Sequence, residues 1–442
     1  MRYHKPHLCF KSSEYIFTVP CGKGITLIFN AVSKAVGRFT NRQFKVVKKI
    51  LSNPNGPASG LDDGIRIKRY LFDNGFIIPS QVSELDLLQN RNRAGIRSLQ
   101  VFDLILLPTM DCNFDCFYCF ENHRTGAMKP EIQKRIKKWC QKTIPKFKSL
   151  NLSWFGGEPL LCTDIIADLS DFFKTFCKLN NIGFHNIITT NGYLLSQEIV
   201  NLLKDVDLKT FNITLDGSPQ WHNRFRPHKE DKKTFDKIFN GIIRTATTIP
   251  DARINIRVNY NSKNFDSISK LFDLFPVEIR KRLFLFFRQI FGEKADKCPL
   301  ADKTLREKDL YAAAVQKGYQ TYLGKTLIGP KETFCYADRD SSMIVNGEGE
   351  IFKCSVSNFE SKDRLGKLSA DGKIAWDIER VNRWKSANGF DDSCCQKCKY
   401  LPLCMGGCRA QRLGGGRSDE CMQPFEHIDQ LVNEVYLESC GL

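Results

Sequence analysis

The chain has 442 residues, of which 42% are apolar and 26% charged. That is enough for two or three domains with sizeable cores, and it excludes a mainly disordered chain. The net charge of +17 suits an anionic partner, either an acidic peptide or nucleic acid, and equally suits a merely solvated basic surface.

From Met1 to about Leu99 the pattern is short strands followed by helices. Tyr15–Val19 and Ile25–Phe29 alternate like strands. Asn41–Leu51 places Phe44, Val47, Ile50 and Leu51 at helical spacing, Asn53–Pro57 is a loop, Ile65–Asn74 reads as a second helix and Gly75–Ile78 as a return strand. Together these predict a small winged-helix-like domain over residues 1–99. Met1–Ser12 is polar and basic with no apolar stretch of a secretory signal. No uncharged apolar run reaches the ~18 residues of a membrane span. A cytoplasmic location with no membrane partner is therefore expected.

From residue 100 to 293 strand and helix alternate. The strand candidates are Phe102–Leu107, Leu150–Phe155, Asn186–Thr190, Thr210–Leu215, Ile254–Val258 and Leu283–Ile290. Helical segments between them include Pro130–Thr143, Thr163–Lys178, Ser196–Leu203, Lys233–Thr247 and Asn264–Phe275. This order predicts an α/β fold on a parallel sheet. Six units could close into an incomplete barrel or stay open, and periodicity does not decide between them. Residues 294–330 hold one linking helix, Leu305–Leu323. Residues 331–442 are rich in Gly and Cys, with a hairpin of Ser342–Val345 and Ile351–Cys354 joined through Asn346-Gly347-Glu348-Gly349. A small, Cys-dense, loop-rich segment of this kind usually needs metal to hold it together.

The cysteines carry the strongest signal. There are 18, none lies between Cys177 and Cys298, and nine fall from Cys335 to Cys440. In a long chain of a reducing compartment such an excess points to metal or catalysis rather than to disulfides. Directly after the first strand, Cys112, Cys116 and Cys119 form C-x3-C-x2-C in one loop. Three thiolates so close can wrap one face of a metal cluster and leave a fourth corner open. Loops after strand C-termini are where α/β barrels place chemistry. A zinc site is the competing reading, but zinc loops favour paired C-x2-C units, and no second pair lies near.

With Tyr118 before the last of these cysteines, the loop resembles that of the radical S-adenosylmethionine (SAM) superfamily. The resemblance implies a partial (β/α)6 TIM-like barrel. It also implies a [4Fe–4S] cluster on Cys112, Cys116 and Cys119 whose open iron chelates SAM, and reductive SAM cleavage to a 5′-deoxyadenosyl radical that abstracts a substrate hydrogen. Other stations match. Phe155-Gly156-Gly157-Glu158-Pro159 is similar to the GGEP motif, with the glycines allowing close backbone approach and Glu158 placed to accept from the SAM ammonium. Thr190-Asn191-Gly192 resembles the ribose-contacting segment. Leu215-Asp216-Gly217 and His222–Arg226 look like the LDG and HDxxR stretch, with Asn223 in place of the usual Asp. Arg226 is thereby implied at the SAM carboxylate, and Asp216 is either a proton acceptor or a helix cap.

In the C-terminal segment, Cys335, Cys354, Cys395, Cys398, Cys404, Cys408 and Cys421 resemble the seven cysteines of the SPASM domain, which holds two auxiliary [4Fe–4S] clusters. By that resemblance Cys395, Cys398, Cys404 and Cys421 hold the outer cluster, and Cys335, Cys354 and Cys408 the inner one. The inner cluster's fourth ligand is either Cys298, 37 residues upstream of Cys335, or an open site. Cys395 rather than its neighbour Cys394 keeps the x2 spacing. Cys9, Cys21, Cys140, Cys162, Cys177 and Cys440 default to small buried or surface residues.

A winged-helix segment ahead of such a core looks like the leader-recognition elements of ribosomal peptide maturases. This implies a precursor peptide as partner, an oxidative cross-link (thioether, C–C or C–O) as product, and a flavodoxin- or ferredoxin-type electron donor. Two alternatives stand beside it. One is an anaerobic sulfatase-maturing enzyme that makes formylglycine, disfavoured because such relatives place the first Cys near the N-terminus, whereas 111 residues precede Cys112. The other is a non-catalytic iron–sulfur or zinc scaffold for nucleic acid, against which the placed GGEP stretch argues.

Overall fold

The computed structural model describes residues 9–57, 62–290, 303–321, 328–414 and 428–439. Cys298, Cys421 and Cys440, and residues 294–302 and 322–327 of the expected link, lie outside them. Two compact units emerge: residues 1–97 with 323–335 and 386–442, and residues 98–322 with 336–385. Each draws on more than one of the segments read from the sequence.

The first unit opens with β1 (Phe10–Ser12), β2 (Ile16–Pro20), β3 (Ile25–Asn30), β4 (Val36–Thr40), α1 (Asn41–Ser52), α2 (Asp62–Asp73), β5 (Ile77–Pro79) and α3 (Glu84–Ile96). β1 pairs antiparallel with β5, and β2-β3-β4 form an antiparallel sheet. α1 starts where it does because Thr40 and Gln43 make a reciprocal capping box. The sheet is apolar on both faces. Ile28 and Phe39 pack with Val47, Ile50, Ile67 and Leu71 of α1 and α2. On the other face Tyr15, Phe17, Val19, Leu27 and Phe29 share a core with Phe390, Cys395, Leu401, Leu403 and Met405 of the cysteine segment and with Leu431 and Val432 of the helix Ile428–Ser439.

The second unit is built on an eleven-stranded sheet. In chain order its elements are β6 (Val101–Leu106), a small hairpin β7 (Thr109–Met110) and β8 (Arg124–Ala127), α4 (Pro130–Thr143), β9 (Ser149–Trp154), α5 (Thr163–Leu179), β10 (Gly183–Thr190), α6 (Gln197–Asp205), β11 (Leu208–Thr214), α7 (Pro219–Phe225), α8 (Phe235–Thr248), β12 (Arg253–Tyr260), α9 (Val277–Arg280), β13 (Leu283–Gln289), α10 (Lys303–Gln316), β14 (Gln320–Thr321), β15 (Ser342–Val345), β16 (Glu350–Phe352), β17 (Gly366–Leu368) and β18 (Ile374–Trp376). The spatial order β14-β13-β12-β11-β10-β9-β6-β15-β16-β17-β18 leaves β14 and β18 as edges, so the sheet is open rather than closed. β6 and β9–β14 run parallel and β15 joins beside β6, also parallel; β16–β18 follow antiparallel.

Burial alternates along β9, β10 and β13. On β12, Ile254, Ile256 and Val258 are fully buried, facing the helices, and Asn255, Arg257 and Asn259 take the other face. A polar row runs across that inner face: Asn151 donates to Asp103 at 2.8 Å, Asn212 to Thr189 at 3.2 Å and Asn255 to Asn212 at 2.7 Å. A barrel filled by Val, Ile and Leu would be a plugged core; this one is lined with amides and hydroxyls.

Two elements differ from expectation. The segment predicted as a helix at Asn264–Phe275 is 3₁₀ over Phe265–Asp273, its entry tied by the Asn264 amide, which donates to the Asn259 carbonyl at 3.0 Å and accepts from the Asn261 N–H at 2.9 Å. The linking helix ends at Gln316 rather than Leu323, because Gly318 (φ 88°) turns the chain into β14.

Candidate active site

The loops that follow β6, β9, β10 and β11 interlock over the C-terminal ends of the strands. The cysteine loop after β6 is clipped to the segment after α7: Asp115 N–H donates to the Pro227 carbonyl at 2.9 Å, Phe117 N–H to Phe225 at 3.3 Å, and Lys229 N–H to Asn113 at 2.9 Å. Phe114 is fully buried, edge-on to Tyr193 and His228. Cys112 is buried, and Cys116 and Cys119 are half-buried. Burial pushes the Cys112 thiol up to about 12 and Cys116 to about 11, the latter against the pull of Arg226. Metal binding there has to displace the thiol protons.

Gly156 and Gly157 meet protein rather than open space. A Cβ on Gly156 (φ 109°) would lie 2.4 Å from the Thr109 carbonyl oxygen, and one on Gly157 2.1 Å from that of Asp111. Their lack of side chains lets the loop after β9 dock on the base of the cysteine loop, where Glu158 N–H donates to the Asp111 carbonyl at 2.8 Å.

Glu158 is fully buried. Its Oε1 accepts from Leu160 N–H at 2.9 Å and Thr190 Oγ1 at 2.7 Å, and its Oε2 from Asn191 N–H at 2.7 Å. Burial raises its pKa, and those three bonds oppose the rise. Two lone pairs per oxygen leave Oε2 room for one more donor. Asn191 donates from Nδ2 to Asn113 Oδ1 at 2.7 Å and accepts at Oδ1 from Tyr193 N–H at 2.9 Å, so its amide braces the loops.

Tyr118, Asp216, Arg226 and Asn259 form one network. The Tyr118 hydroxyl donates to Asp216 Oδ2 and accepts from Arg226 Nη1 at 2.7 Å and Asn259 Nδ2 at 3.1 Å. Asp216 Oδ1 accepts from the Asn259 N–H at 2.7 Å. Asp216 is fully buried, which raises its pKa against the attraction of Arg226. It caps no helix. α7 begins after Ser218. Arg226 is buried, and its Nε has no partner among the described residues. Asn223 also has a job. Its Oδ1 accepts from the N–H groups of Thr234 at 2.9 Å and Phe235 at 2.8 Å, holding the start of α8. An Asp would supply the same oxygen, which accounts for the exchange.

His222 and Asn259 had no assigned role in the sequence. His222 is fully buried and accepts the Asp216 N–H at Nδ1, 3.1 Å away. Burial holds it well below the usual histidine range, hence neutral. Asn259 carried no motif that could have revealed it; only its alternation on β12 placed it inward.

The C-terminal cysteines of the first unit sit on tight turns. Cys395 is buried and Cys394 exposed. Asp392 Oδ1 accepts from both of their N–H groups, and Arg412 donates to Cys395 Sγ at 2.8 Å and pairs with Asp392 at 3.0 Å. Cys398, Cys404 and Cys408 are half-buried in the same unit, as is Cys335; half-buried Cys354 belongs to the other. Among the described residues no three His, Cys, Asp or Glu side chains gather closely enough for a single metal ion. A cubane spreads its thiolates over separate irons and asks for no such gathering.

Residues 106–274 match the Radical SAM superfamily. The chain is 24% identical over 320 residues to the radical SAM cyclopropyl synthase TigE of Paramaledivibacter caminithermalis, covering 60% of this chain and 67% of that protein. It is 24% identical over 351 residues to the cysteine-type anaerobic sulfatase-maturating enzyme of Clostridium novyi, covering 70% and 88%. Its fold is similar to that of anSMEcpe with bound AdoMet (TM-score 0.61, 18% identity, 77% of this chain and 95% of that one). It is also similar to that of Streptococcus suis SuiB bound to precursor peptide SuiA (TM-score 0.53, 17% identity, 93% and 99%). Radical SAM proteins use a [4Fe–4S] cluster and SAM, and three loop sulfurs, the free acceptor position on Glu158 and the unpartnered Arg226 Nε suit that pair. Residues 106–274 of this chain form a radical SAM domain, and the relatives it resembles include enzymes.

Proposed function

We propose that the protein matures a ribosomally made precursor peptide by a radical-initiated oxidation, with a cross-link as product. Cys112, Cys116 and Cys119 would hold the SAM-binding cluster, which when bound would supply the electron for reductive cleavage of SAM. Glu158 Oε2 would accept one N–H of the SAM ammonium and Arg226 would hold its carboxylate, while Gly156, Gly157 and Asn191 brace the loops. After hydrogen abstraction the remaining electron would pass to an auxiliary cluster, while Asp216 would accept the proton that leaves the substrate. Tyr118 and Asn259 orient its carboxylate, and Arg226 stabilises the charged form. The C-terminal cysteines hold auxiliary clusters in a SPASM arrangement, Cys395, Cys398, Cys404 and Cys421 the outer one. A flavodoxin- or ferredoxin-type protein delivers the electron.

What supports a peptide substrate is the N-terminal sheet. β4 is an edge strand of β2-β3-β4, followed directly by helices, and an extended leader can add to such an edge through main-chain bonds. Co-expression with a small peptide encoded beside the gene, under anoxia, tests this. The peptide is expected to lose the mass of two hydrogens per cross-link; an unchanged mass contradicts it. A sulfatase-derived peptide converted instead to formylglycine would favour the sulfatase-maturing alternative, which the Clostridium novyi relative keeps in view.

A further inference from the structure

Arg257 and Arg288 stand on the neighbouring parallel strands β12 and β13. The register sets Arg257 beside Phe286 and Arg288 beside Asn259. The opposite row of β13 (Leu283, Leu285, Phe287) is fully buried, and Phe287 packs on Phe272 and Tyr311. Arg257 and Arg288 therefore belong to the row that faces the barrel interior, the row whose Asn259 reaches Tyr118 and Asp216.

Neither guanidinium makes an ion pair among the described residues, although Asp216 lies within electrostatic reach of Arg257 and Glu307 within reach of Arg288. Arg257 gives its Nε to Asn259 Oδ1 at 2.7 Å, which fixes the plane of the group and leaves its outer N–H donors for another acceptor. Arg288 is exposed and makes no hydrogen bond or ion pair among the described residues. The nearby carboxylates are committed elsewhere: Glu307 Oε2 accepts from the Tyr260 hydroxyl at 2.6 Å, and Asp216 accepts from Tyr118 and Asn259. Burial, and after it the like charges of Arg288 and Arg226, lower the affinity of Arg257 for its own proton, against the attraction of Tyr118 and Asp216. Like charges gathered on a half-buried inner face call for an anion. A planar guanidinium with free N–H groups matches a carboxylate in two parallel bonds.

We propose that Arg257 and Arg288 form a carboxylate subsite that holds an acidic residue of the substrate peptide beside the position to be modified. The proposal rests on the peptide reading above. A ribosomal peptide carries Asp and Glu without prior modification, which a phosphate would need. The methionine carboxylate of SAM is the other source of the same chemistry.

The test uses the anaerobically reconstituted full chain, immobilised with SAM and offered a pool of end-capped seven-residue peptides of random sequence. The wild type is expected to retain members with Asp or Glu over their Asn or Gln counterparts by about tenfold. Arg288→Met is expected to lose that preference, and Arg288→Glu to turn it toward Lys and Arg. SAM affinity, measured by equilibrium dialysis on the same proteins, is expected to stay within about twofold. Equal retention of acidic and amide peptides by the wild type overturns the subsite, as does a preference that survives Arg288→Glu. A marked loss of SAM affinity in Arg288→Met with peptide preference intact assigns the pair to SAM and also overturns it. Mass analysis of the retained peptides is a separate readout. Acidic peptides that are held but never modified leave the subsite standing and contradict the maturase reading; modified peptides with no acidic preference do the reverse.

Discussion

Glu158 shows how one side chain can serve structure and chemistry together. Its carboxylate satisfies three donors from two loops and keeps one acceptor position spare. Glu158→Ala leaves Leu160 N–H, Thr190 Oγ1 and Asn191 N–H without their acceptor. The expected cost is about 1–3 kcal/mol of stability, with SAM binding weakened and cluster iron retained; denaturant titration, SAM dialysis and iron counting check the three separately. Cys116→Ala should abolish 5′-deoxyadenosine formation while the C-terminal iron remains countable; continued production would mean the loop is misassigned. A pH effect belongs to Glu307, whose pKa burial raises above 4.5 against its bonds from Tyr260 and Tyr311. A raised carboxyl contributes stability below its unfolded pKa and loses it as pH rises through the folded one. Glu307→Gln should therefore match the wild type near pH 4 and gain on it steadily toward pH 8, read as a growing difference in melting temperature. The motif residues Glu158, Asp216 and Arg226 were legible because they sit at fixed offsets from strands. His222 opens the same stretch as Arg226, but its bond to the Asp216 N–H was not legible; Asn259 was not legible at all, since an inward amide leaves no pattern in sequence.

At the scale of elements, the helix and strand periods gave the parallel units almost residue for residue: α4 spans Pro130–Thr143 and β13 Leu283–Gln289. The N-terminal elements were harder. α3 buries Glu84, Asn92 and Gly95 along with Leu88, so its inner face carries no apolar stripe. Glu84 binds the Ser13 hydroxyl at 2.7 Å and Asn92 the Glu332 carbonyl at 2.9 Å, which replaces hydrophobic contact with polar bonds that only the tertiary fold reveals. β4 is five residues with Gly37 near its start, too short to alternate visibly. The docking of the loop after β9 on the cysteine loop makes a sharper prediction. Gly157→Ala drives a methyl group into the Asp111 carbonyl, and no rotamer relieves a backbone clash. Loss of iron from the N-terminal loop is expected without loss of the C-terminal iron; full iron content with normal SAM cleavage would show that the close approach is dispensable.

For the whole molecule, the reading by segments missed that the N-terminal sheet and the cysteine segment after residue 386 share one core. Phe17 meets Tyr400 at 5.1 Å between ring centroids, and Lys34 Nζ donates to the Pro402 carbonyl at 3.2 Å. Local periodicity cannot show a pairing between segments nearly four hundred residues apart. If Cys404 holds the proposed outer cluster, Cys404→Ser should lower amide exchange protection across β2 and β3, and unchanged protection there would contradict that coupling. No helix among the described residues is long and apolar enough to cross a membrane. The central claim, that the three-sulfur loop after β6 carries SAM cleavage, is tested most directly by reconstituting the full chain with iron and sulfide under anoxia, reducing it and adding SAM. Cubane iron on the loop with 5′-deoxyadenosine and methionine released in equal amounts is the predicted result; intact SAM beside a fully loaded, reduced protein would contradict the account.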